Sequence, residues 1–543
     1  MGLFVGLFVG LGVAGPAFAE DATGRSQVGE HLLAARAIQE WRFEDARAIM
    51  ASIGSSKTSA SRETRYLQAD LAFLDGGYAS ALQILQGFES DSDPAAADLA
   101  RELRRLVAAT EELTRGFARR EVDHFVISFA PGKDELLADL AGDALEKAFR
   151  EIGADLGFYP PGKVRVEILP AASDLARVST LTEREIEATG TIALCKYGKI
   201  VMVSPRATVF GYPWLDTLAH EYAHYVVARA THDRAPVWLQ EGLAKLEETR
   251  WRSAPGAVGQ SRTQAQLLAM ALRKGRLVTF EQMHPSMARL PSQEAAAIAF
   301  AEVHVLASML HAKVGYQGIR SLLAMLRDGR GARRALTEVV GASSWQETEA
   351  KWKKQLAAIA QGSNQDRTRL PVERVRFRKD SRRNSRQDDE NVGLEQVTEE
   401  KALRYARLAG MLRARGRYAS AALEYEKALA ITGPENLLIA GKLSRTYLEM
   451  GQPDRAVSAV QRLIALGEED SFPHATMGVA LLRLRDYGNA EKHLAAAVRI
   501  SPFDPAVRCG LAEVYSATGR ADRATTEQTA CNQLQGEPGS SVN

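Results

Sequence analysis

The chain has little cysteine and no large imbalance of charge. Only three of its 543 residues are cysteine, too few for a disulfide scaffold or for a zinc site made of four cysteines. The 69 Lys and Arg residues nearly balance the 67 Asp and Glu residues, giving a net charge of +2, so the overall charge does not favour nucleic acid as a partner. No apolar run after residue 20 approaches the roughly 20 residues of a membrane span. With 45% hydrophobic and 25% charged residues, the composition indicates a globular protein of several domains.

Residues 1–19 have the pattern of a secretory signal peptide. This segment has no charged side chain, and its apolar core is followed by Pro16 and by the small-x-small sequence Ala17-Phe18-Ala19, which is typical of a cleavage site. No Lys or Arg precedes the core, and glycines recur every four residues as in packed membrane helices, so a retained membrane anchor is the alternative. We expect a periplasmic or secreted bacterial protein, with membrane contact only if this segment is kept.

A period of about 34 residues recurs near the C-terminus. Its marker alanines are Ala421, Ala456, Ala490 and Ala524, each next to a turn-like segment between two helical patterns. The period resembles that of tetratricopeptide repeats (TPR), which implies paired helices over 398–535 that bind a protein partner. A degenerate form of the pattern around Ala46 and Ala81 predicts TPR-like hairpins over 26–115.

A charged stretch separates the centre of the chain from the C-terminal repeats. Residues 361–395 contain a basic run followed by an acidic cluster and lack apolar periodicity, which favours an exposed linker. A basic run can attract nucleic acid, but the expected export argues against that partner, and we predict none.

The segment 117–360 differs in pattern from the repeats. His124–Phe129, Val164–Leu169 and Lys199–Val203 are strand-like, whereas Leu136–Ile152 has helical spacing. The expected fold class is therefore a central α+β domain with all-α helical repeats at both ends.

The sequence His-Glu-x-x-His lies in this central segment. Pro213 suits the first turn of a helix, and on that helix His220 and His224 share one face, because residues four apart are neighbours. Two imidazoles at this spacing can bind one Zn²⁺. Glu221, next to the first histidine, can take a proton from a water activated by the metal.

A carboxylate that completes this zinc site is expected from the next helix. Pro236 begins that helix, and Glu241 lies 17 residues after His224, so a returning helix can bring Glu241 over the two imidazoles. Gly242 removes a side chain where the two helices would crowd. Two histidines and one glutamate leave the open fourth position of a catalytic zinc site.

The motifs HEYAH and PVWLQEGLA together resemble the gluzincin zinc metallopeptidases, in particular the peptidase MA-like domains. The resemblance covers about residues 120–358. It implies a zincin-like catalytic domain, zinc ligation by His220, His224 and Glu241, and a general-base role for Glu221. It also implies that Lys199–Val203 is the edge strand along which a peptide substrate lies.

The chain departs from the family at the expected oxyanion donor. Phe300 stands where family members often have a tyrosine, and His304, one turn later, is a candidate replacement. Tyr222, His311 or a backbone group are the alternatives to His304.

A second departure concerns the side chains that orient the zinc ligands. Lys245 stands four residues after Glu241, where an acidic residue is common in the family. Asp216, one turn before His220, could orient a ligand imidazole instead.

The expected function is a zinc-dependent metalloendopeptidase whose TPR repeats bind proteins or peptides. The alternative is a TPR interaction scaffold in which a metallopeptidase-like domain is weakly active or inactive. A last expectation concerns Cys509 and Cys531, which are nearly equidistant from the turn at Gly519-Arg520. They either form a disulfide that staples the last repeat or pack as free thiols, with Cys195 unpaired.

Overall fold

The computed structural model describes residues 22–54, 61–88, 94–209, 211–254, 261–362, 375–378, 394, 397–434, 436–466 and 471–536. The expected signal peptide over 1–19 and most of the expected linker over 361–395 lie outside these residues. The chain divides into two compact units. The first contains the chain up to residue 131 together with 138–203 and 216–374, and the second contains 132–137, 204–215 and the chain from 375 onward.

Five helices lie in the described part of the chain before residue 115. They are α1 (Ala22–Gln39), α2 (Phe43–Gly54), α3 (Arg62–Leu74), α4 (Tyr78–Ile84) and α5 (Pro94–Thr114). Small alanines lie in the interfaces between them, where Ala46 and Ala81 are fully buried. Gly76 makes the turn between α3 and α4 with φ +82°, a conformation that glycine adopts without steric cost.

One sheet of five short strands follows. Its strands are β1 (Ala118–Glu121), β2 (Phe125–Phe129), β3 (Val164–Leu169), β4 (Ala193–Lys196) and β5 (Lys199–Val203), in the order β1-β2-β3-β5-β4. The pairs β2–β3 and β3–β5 are parallel, whereas β1 and β4 run antiparallel to their neighbours. The turn between β4 and β5 uses positive φ at Tyr197 and Gly198, as a two-residue hairpin requires.

A buried polar network joins this sheet to the first helices. The Lys199 ammonium, which is fully buried, donates to Glu167 at 2.6 Å and to the Tyr78 hydroxyl at 2.8 Å. Arg165 also donates to Tyr78 at 2.9 Å. Burial lowers the pKa of Lys199 to about 8, although the Glu167 carboxylate opposes this. Lys199 therefore holds α4 against the sheet. Its positive charge is stabilised by the Glu167 carboxylate.

Nine helices complete the first unit within the described residues. They are α6 (Glu135–Leu156), α7 (Ala172–Arg177), α8 (Glu183–Thr189), α9 (Trp214–Thr231), α10 (Val237–Glu247), α11 (Arg262–Lys274), α12 (Gln293–Arg327), α13 (Ala332–Val339) and α14 (Trp345–Gly362). Within α12, Gly315 departs from helical geometry with φ +60°. Among the described residues, α12 is the one helix whose length and apolar composition would allow a membrane span. Because 61% of its apolar window is buried within the protein, α12 has the character of a core helix.

The expected fold class of a central α+β domain between all-α repeats is wrong. The described chain is 70% helical, with 22 helices and one small sheet. The central segment predicted as mixed is itself dominated by helices, because its strands are only four to six residues long whereas α12 alone has 35. The architecture is predominantly helical.

The second unit contains the C-terminal helices. They are α15 (Glu400–Ala414), α16 (Tyr418–Thr432), α17 (Leu437–Glu449), α18 (Pro453–Leu466), α19 (Ser471–Arg483), α20 (Tyr487–Ile500), α21 (Pro505–Ala517) and α22 (Ala521–Gln535). The turns after α15, α17 and α21 use positive φ at Gly416, Gly451 and Gly519. The period of about 34 residues therefore marks successive helical hairpins.

Two details of the second unit bear on the sequence predictions. Cys509 of α21 and Cys531 of α22 form a disulfide with their Cα atoms 5.1 Å apart, whereas Cys195, on β4 of the first unit, is free and buried. Within the expected linker, Phe377 forms a β-bridge with Thr208, so this part of 361–395 is paired with the remainder of the second unit.

Candidate metal centre

Helix α9 holds the two histidines on one face. His220 and His224 are one helical turn apart, and both are buried, at 8% and 2% exposure. The remainder of α9 is buried almost all round, with Leu218 and Val226 fully enclosed. Since the helix is packed on every side, the imidazoles are held in place by its packing.

Helix α10 returns towards α9 and supplies the carboxylate. Glu241 lies in the middle of α10 and is 7% exposed. The next residue, Gly242, faces α12 so closely that a Cβ atom there would lie 2.8 Å from the Val303 carbonyl oxygen. The absence of a side chain at Gly242 is therefore what lets α10 approach α12 while Glu241 points towards the histidines.

The three predicted ligands converge on one point. The Nε2 atoms of His220 and His224 are 3.1 Å apart, and they lie 3.3 Å and 3.1 Å from Oε2 of Glu241. Among the described residues, these three form the one group of His, Cys, Asp or Glu side chains able to hold a metal ion. Tetrahedral zinc with bonds of about 2.0–2.1 Å separates its ligand atoms by roughly 3.3 Å. The observed spacing and donor set fit Zn²⁺.

The carboxylate of Glu248 supports the first histidine. Its Oε2 atom lies 3.4 Å from Nδ1 of His220, and its Oε1 atom accepts a 2.6 Å hydrogen bond from Lys245. Burial alone would lower the pKa of His220, but hydrogen bonds to Glu241 and Glu248 outweigh it and raise the pKa to about 9. A carboxylate on the far nitrogen of a metal-binding imidazole fixes its orientation.

The alternative orienting residue, Asp216, has a different role. Its carboxylate accepts hydrogen bonds of 2.8 Å from the Trp251 indole and from two nitrogens of Arg252. Asp216 therefore ties α9 to the chain after α10. Glu248 escaped the sequence analysis, although its position seven residues after Glu241, two turns along the same helical path, was a usable signal.

Glu221 follows His220 in the chain and lies near the three ligands. It is 7% exposed, and burial raises the pKa of its carboxyl, while the two imidazoles only partly oppose this. Its charge also reaches Cys195 on β4, since burial, and after it Glu221, raise the pKa of that thiol well above its usual value.

The order of the strands shows that the expected edge strand is wrong. Strand β5 (Lys199–Val203) lies between β3 and β4 and is buried along its whole length, so it is an interior strand. The edge of the sheet on this side is β4. A peptide cannot pair with β5, because both of its sides already form strand hydrogen bonds.

The residues expected near an oxyanion lie on α12. The Phe300 ring is 6.2 Å from the His220 ring, which places at the site a side chain without a hydrogen-bond donor. His304 is 5% exposed, and its Nδ1 has no hydrogen-bond partner within the described part of the chain. Burial, reinforced by the positive charge of Lys245, lowers the pKa of His304 to about 4, so its imidazole is neutral near pH 7. A neutral imidazole retains one N–H donor.

Tyr222, one of the alternatives to His304, packs in the core. Its ring lies 5.2 Å from the Phe125 ring and 6.3 Å from the Phe149 ring, and it is fully buried. Tyr222 supports α9 against the sheet and the neighbouring helix α6. The ring of His311, the other side-chain alternative, lies 4.5 Å from the Tyr316 ring, with the two planes tilted by 53°.

The comparisons with known proteins support the repeats. A family model described as tetratricopeptide repeat matches residues 412–475, so the chain contains a TPR module, a type of module used for protein–protein interaction. No curated protein matches the chain.

Several solved structures are similar to parts of the chain. "Crystal structure of MamA" is 21% identical over 24% of this chain and 74% of that chain, with a TM-score of 0.22. "Crystal structure of APC/C hetero-tetramer Cut9-Hcn1" is 12% identical over 94% and 87%, with a TM-score of 0.24. "Structure of native yeast LTA4 hydrolase" is 11% identical over 77% and 64%, with a TM-score of 0.29. At these TM-scores, none of the three establishes a shared fold or activity.

Proposed function

We propose that this chain is a zinc-dependent peptidase that carries TPR repeats for protein binding. The observation that supports the peptidase is the convergence of His220, His224 and Glu241 within 3.1–3.3 Å of one another, with Glu221 next to them. A bound Zn²⁺ would supply Lewis acidity towards a carbonyl oxygen and towards water. The two imidazoles and the carboxylate would hold the ion and leave one position open.

The proton transfers are assigned to Glu221. Its carboxylate accepts the proton of the attacking water as the new C–O bond forms and the carbonyl oxygen becomes an oxyanion. Glu221 then delivers this proton to the nitrogen of the leaving amine, and the peptide C–N bond breaks as the carbonyl forms again. Burial raises the pKa of Glu221, which makes its carboxylate a stronger base towards the attacking water. Phe300 offers no donor to the oxyanion, and we assign that hydrogen bond to His304.

Paired variants test these roles. His224→Ala should lose zinc and activity together, whereas Glu221→Gln should keep about one zinc per chain and lose cleavage of an unfolded protein substrate. His304→Ala should keep zinc and lower turnover by about 10²–10³-fold, the cost of one oxyanion donor. Cleavage by Glu221→Gln at the parental rate would contradict the general-base role.

A second candidate function is an interaction scaffold whose metal centre is weakly active or inactive. The comparisons favour this candidate, since they identify the TPR module and identify no peptidase, and Phe300 is consistent with weak turnover. A purified chain that holds zinc, binds a protein through its repeats and cleaves nothing would support this alternative.

We also propose that the chain acts outside the cytoplasm, in the periplasm or medium of a bacterium. The Cys509–Cys531 disulfide suits an oxidising compartment, and residues 1–19 have the signal-peptide pattern. Fractionation of cells that express the chain tests this proposal, because the protein should be found in the periplasmic or secreted fraction.

A further inference from the structure

The first hairpin of the C-terminal helices exposes more apolar surface than the hairpins after it. Five large apolar side chains are exposed in the described residues of this region. Four of them lie on α15 and α16, whereas the fifth, Leu484, follows α19. They are Leu408 at 41% exposure, Met411 at 53%, Leu423 at 52% and Ile431 at 40%. Each end of a stack of repeats needs a covered or polar outer face, so this concentration calls for an explanation.

Four exposed residues of α15 and Arg415, which directly follows this helix, form a regular seam. Lys401, Arg404, Leu408, Met411 and Arg415 follow one another at intervals of three, four, three and four residues, and all five are exposed. This spacing is that of the contact positions in a coiled coil. We call these five residues the basic–apolar seam, because two apolar residues occupy its centre and three basic residues its ends.

Helix α16 adds a third apolar residue beside the seam. The Lys427 ammonium lies 5.7 Å from the centre of the Tyr405 ring, and these two residues are equally far from the turn at Gly416. The same register places Leu423 within one residue of the height of Leu408. Leu423 and Lys427 are four residues apart on one face of this helix, so Leu423 adds a third exposed apolar side chain close to the level of the centre of the seam.

The charges of the seam restrict what can cover it. Lys401 and Arg415 have no ion-pair partner within the described residues, and Arg404 pairs only with the exposed Glu400 at 3.5 Å. A second copy of the chain would place these cations against their own equivalents, which is unfavourable. A helix that lies on a lipid surface has a broad apolar face that includes large aromatic residues. The apolar centre of the seam is narrow and contains no aromatic residue.

We propose that the basic–apolar seam, with Leu423, docks one amphipathic helix of a partner protein that has apolar residues at its centre and acidic residues at its ends. The inference rests on the protein-binding function of the TPR repeats and is independent of the metal centre. The apolar centre supplies the buried contact, and the cations at the ends fix the register of the partner helix.

The test uses the full chain with Glu221→Gln, so that the probe is not cleaved. The probe is a fluorescent synthetic helical peptide of about three heptads, with leucine on the contact positions and glutamate beside them. Fluorescence anisotropy should show binding that weakens about tenfold or more when Leu408→Glu and Met411→Glu are combined. The matched control is Leu484→Glu, which alters an equally exposed leucine elsewhere and should leave binding unchanged.

Four outcomes would overturn the proposal. In the first, a peptide with lysine in place of glutamate binds as well as the original, and in the second, the Leu408→Glu/Met411→Glu chain binds the peptide with parental affinity. In the third, the chain dimerises through the seam without peptide. In the fourth, the seam binds anionic vesicles and does not bind the peptide. Circular dichroism of each variant separates a lost contact from a lost fold. Because zinc content and cleavage are measured separately, failure here leaves the proposed peptidase function untouched.

Discussion

Replacing Gly242 by alanine should loosen the packing of α10, which carries the proposed zinc ligand Glu241, against α12. The added Cβ atom would lie 2.8 Å from the Val303 carbonyl oxygen. That oxygen belongs to the backbone of α12 and cannot move aside as a flexible side chain would, so α10 must shift away from α12. Overpacking of this kind costs about 1–3 kcal/mol, and a backbone contact lies in the upper part of that range.

A gain in helix propensity partly offsets this cost. Alanine in place of glycine inside a helix gains about 1 kcal/mol, so the net loss in the free energy of unfolding should be about 1–2 kcal/mol. At about 2–4 °C per kcal/mol, the midpoint of thermal unfolding should fall by a few degrees. Since Glu241 is the neighbouring residue on α10, zinc affinity should fall as well, by about tenfold.

The assay combines thermal unfolding with zinc competition against a chromogenic chelator. Gly488→Ala is the matched control, because Gly488 lies in helix α20 and a Cβ atom there meets nothing within 4 Å. The control should unfold at the same or a slightly higher temperature and keep its zinc affinity. A Gly242→Ala chain with parental stability and parental zinc affinity would refute the argument from close packing.

Three further predictions follow from named contacts. Glu248→Gln should weaken zinc binding by about 10–100-fold, measured by competition with a chelator. Parental zinc affinity would mean that the 3.4 Å contact between Glu248 and His220 does not orient the imidazole. Lys199→Met should cost about 3 kcal/mol in urea unfolding, because it removes the closest cation from the buried Glu167 carboxylate and leaves Arg165 at 3.9 Å. Recovery of stability by Lys199→Met/Glu167→Leu would confirm this cause. Cys509→Ser should lower the unfolding free energy of the second unit by about 3 kcal/mol, the value for a closed loop of about 22 residues, and a much smaller change would show that the bridge adds little.

The sequence was most informative where one local rule sets the geometry. His220 and His224 share a face because residues four apart on a helix always do, and a helix that returns after a short connection brings Glu241 to them. The spacing of the repeats predicted the hairpins of the second unit, since each period contains a turn. Their distances from the turn predicted that Cys509 and Cys531 lie at nearly the same level along two adjacent helices. Whether the two side chains face each other depends on the rotation of each helix about its axis, and in the structure their Cα atoms are 5.1 Å apart.

The pairing of the strands and the fold class could not be predicted from local rules of this kind. The run Lys199–Val203 was expected at the sheet edge from the family resemblance, yet a continuous apolar strand is typical of the interior of a sheet. The actual edge, β4, has only four residues. The α+β expectation gave too much weight to short strands in a mostly helical segment. Glu248 was missed because a glutamate at a helix end is common and has a function only through its distance from His220.

Chelator-sensitive proteolysis by the purified chain is the most direct test of the central claim. The protein is incubated with an unfolded protein substrate, with and without a zinc chelator, and Zn²⁺ is then restored. We predict cleavage that stops with the chelator, returns with Zn²⁺ and is absent in Glu221→Gln. If the zinc-loaded chain leaves the substrate intact, or if Glu221→Gln cleaves it as fast as the parent chain, the proposed peptidase function is contradicted.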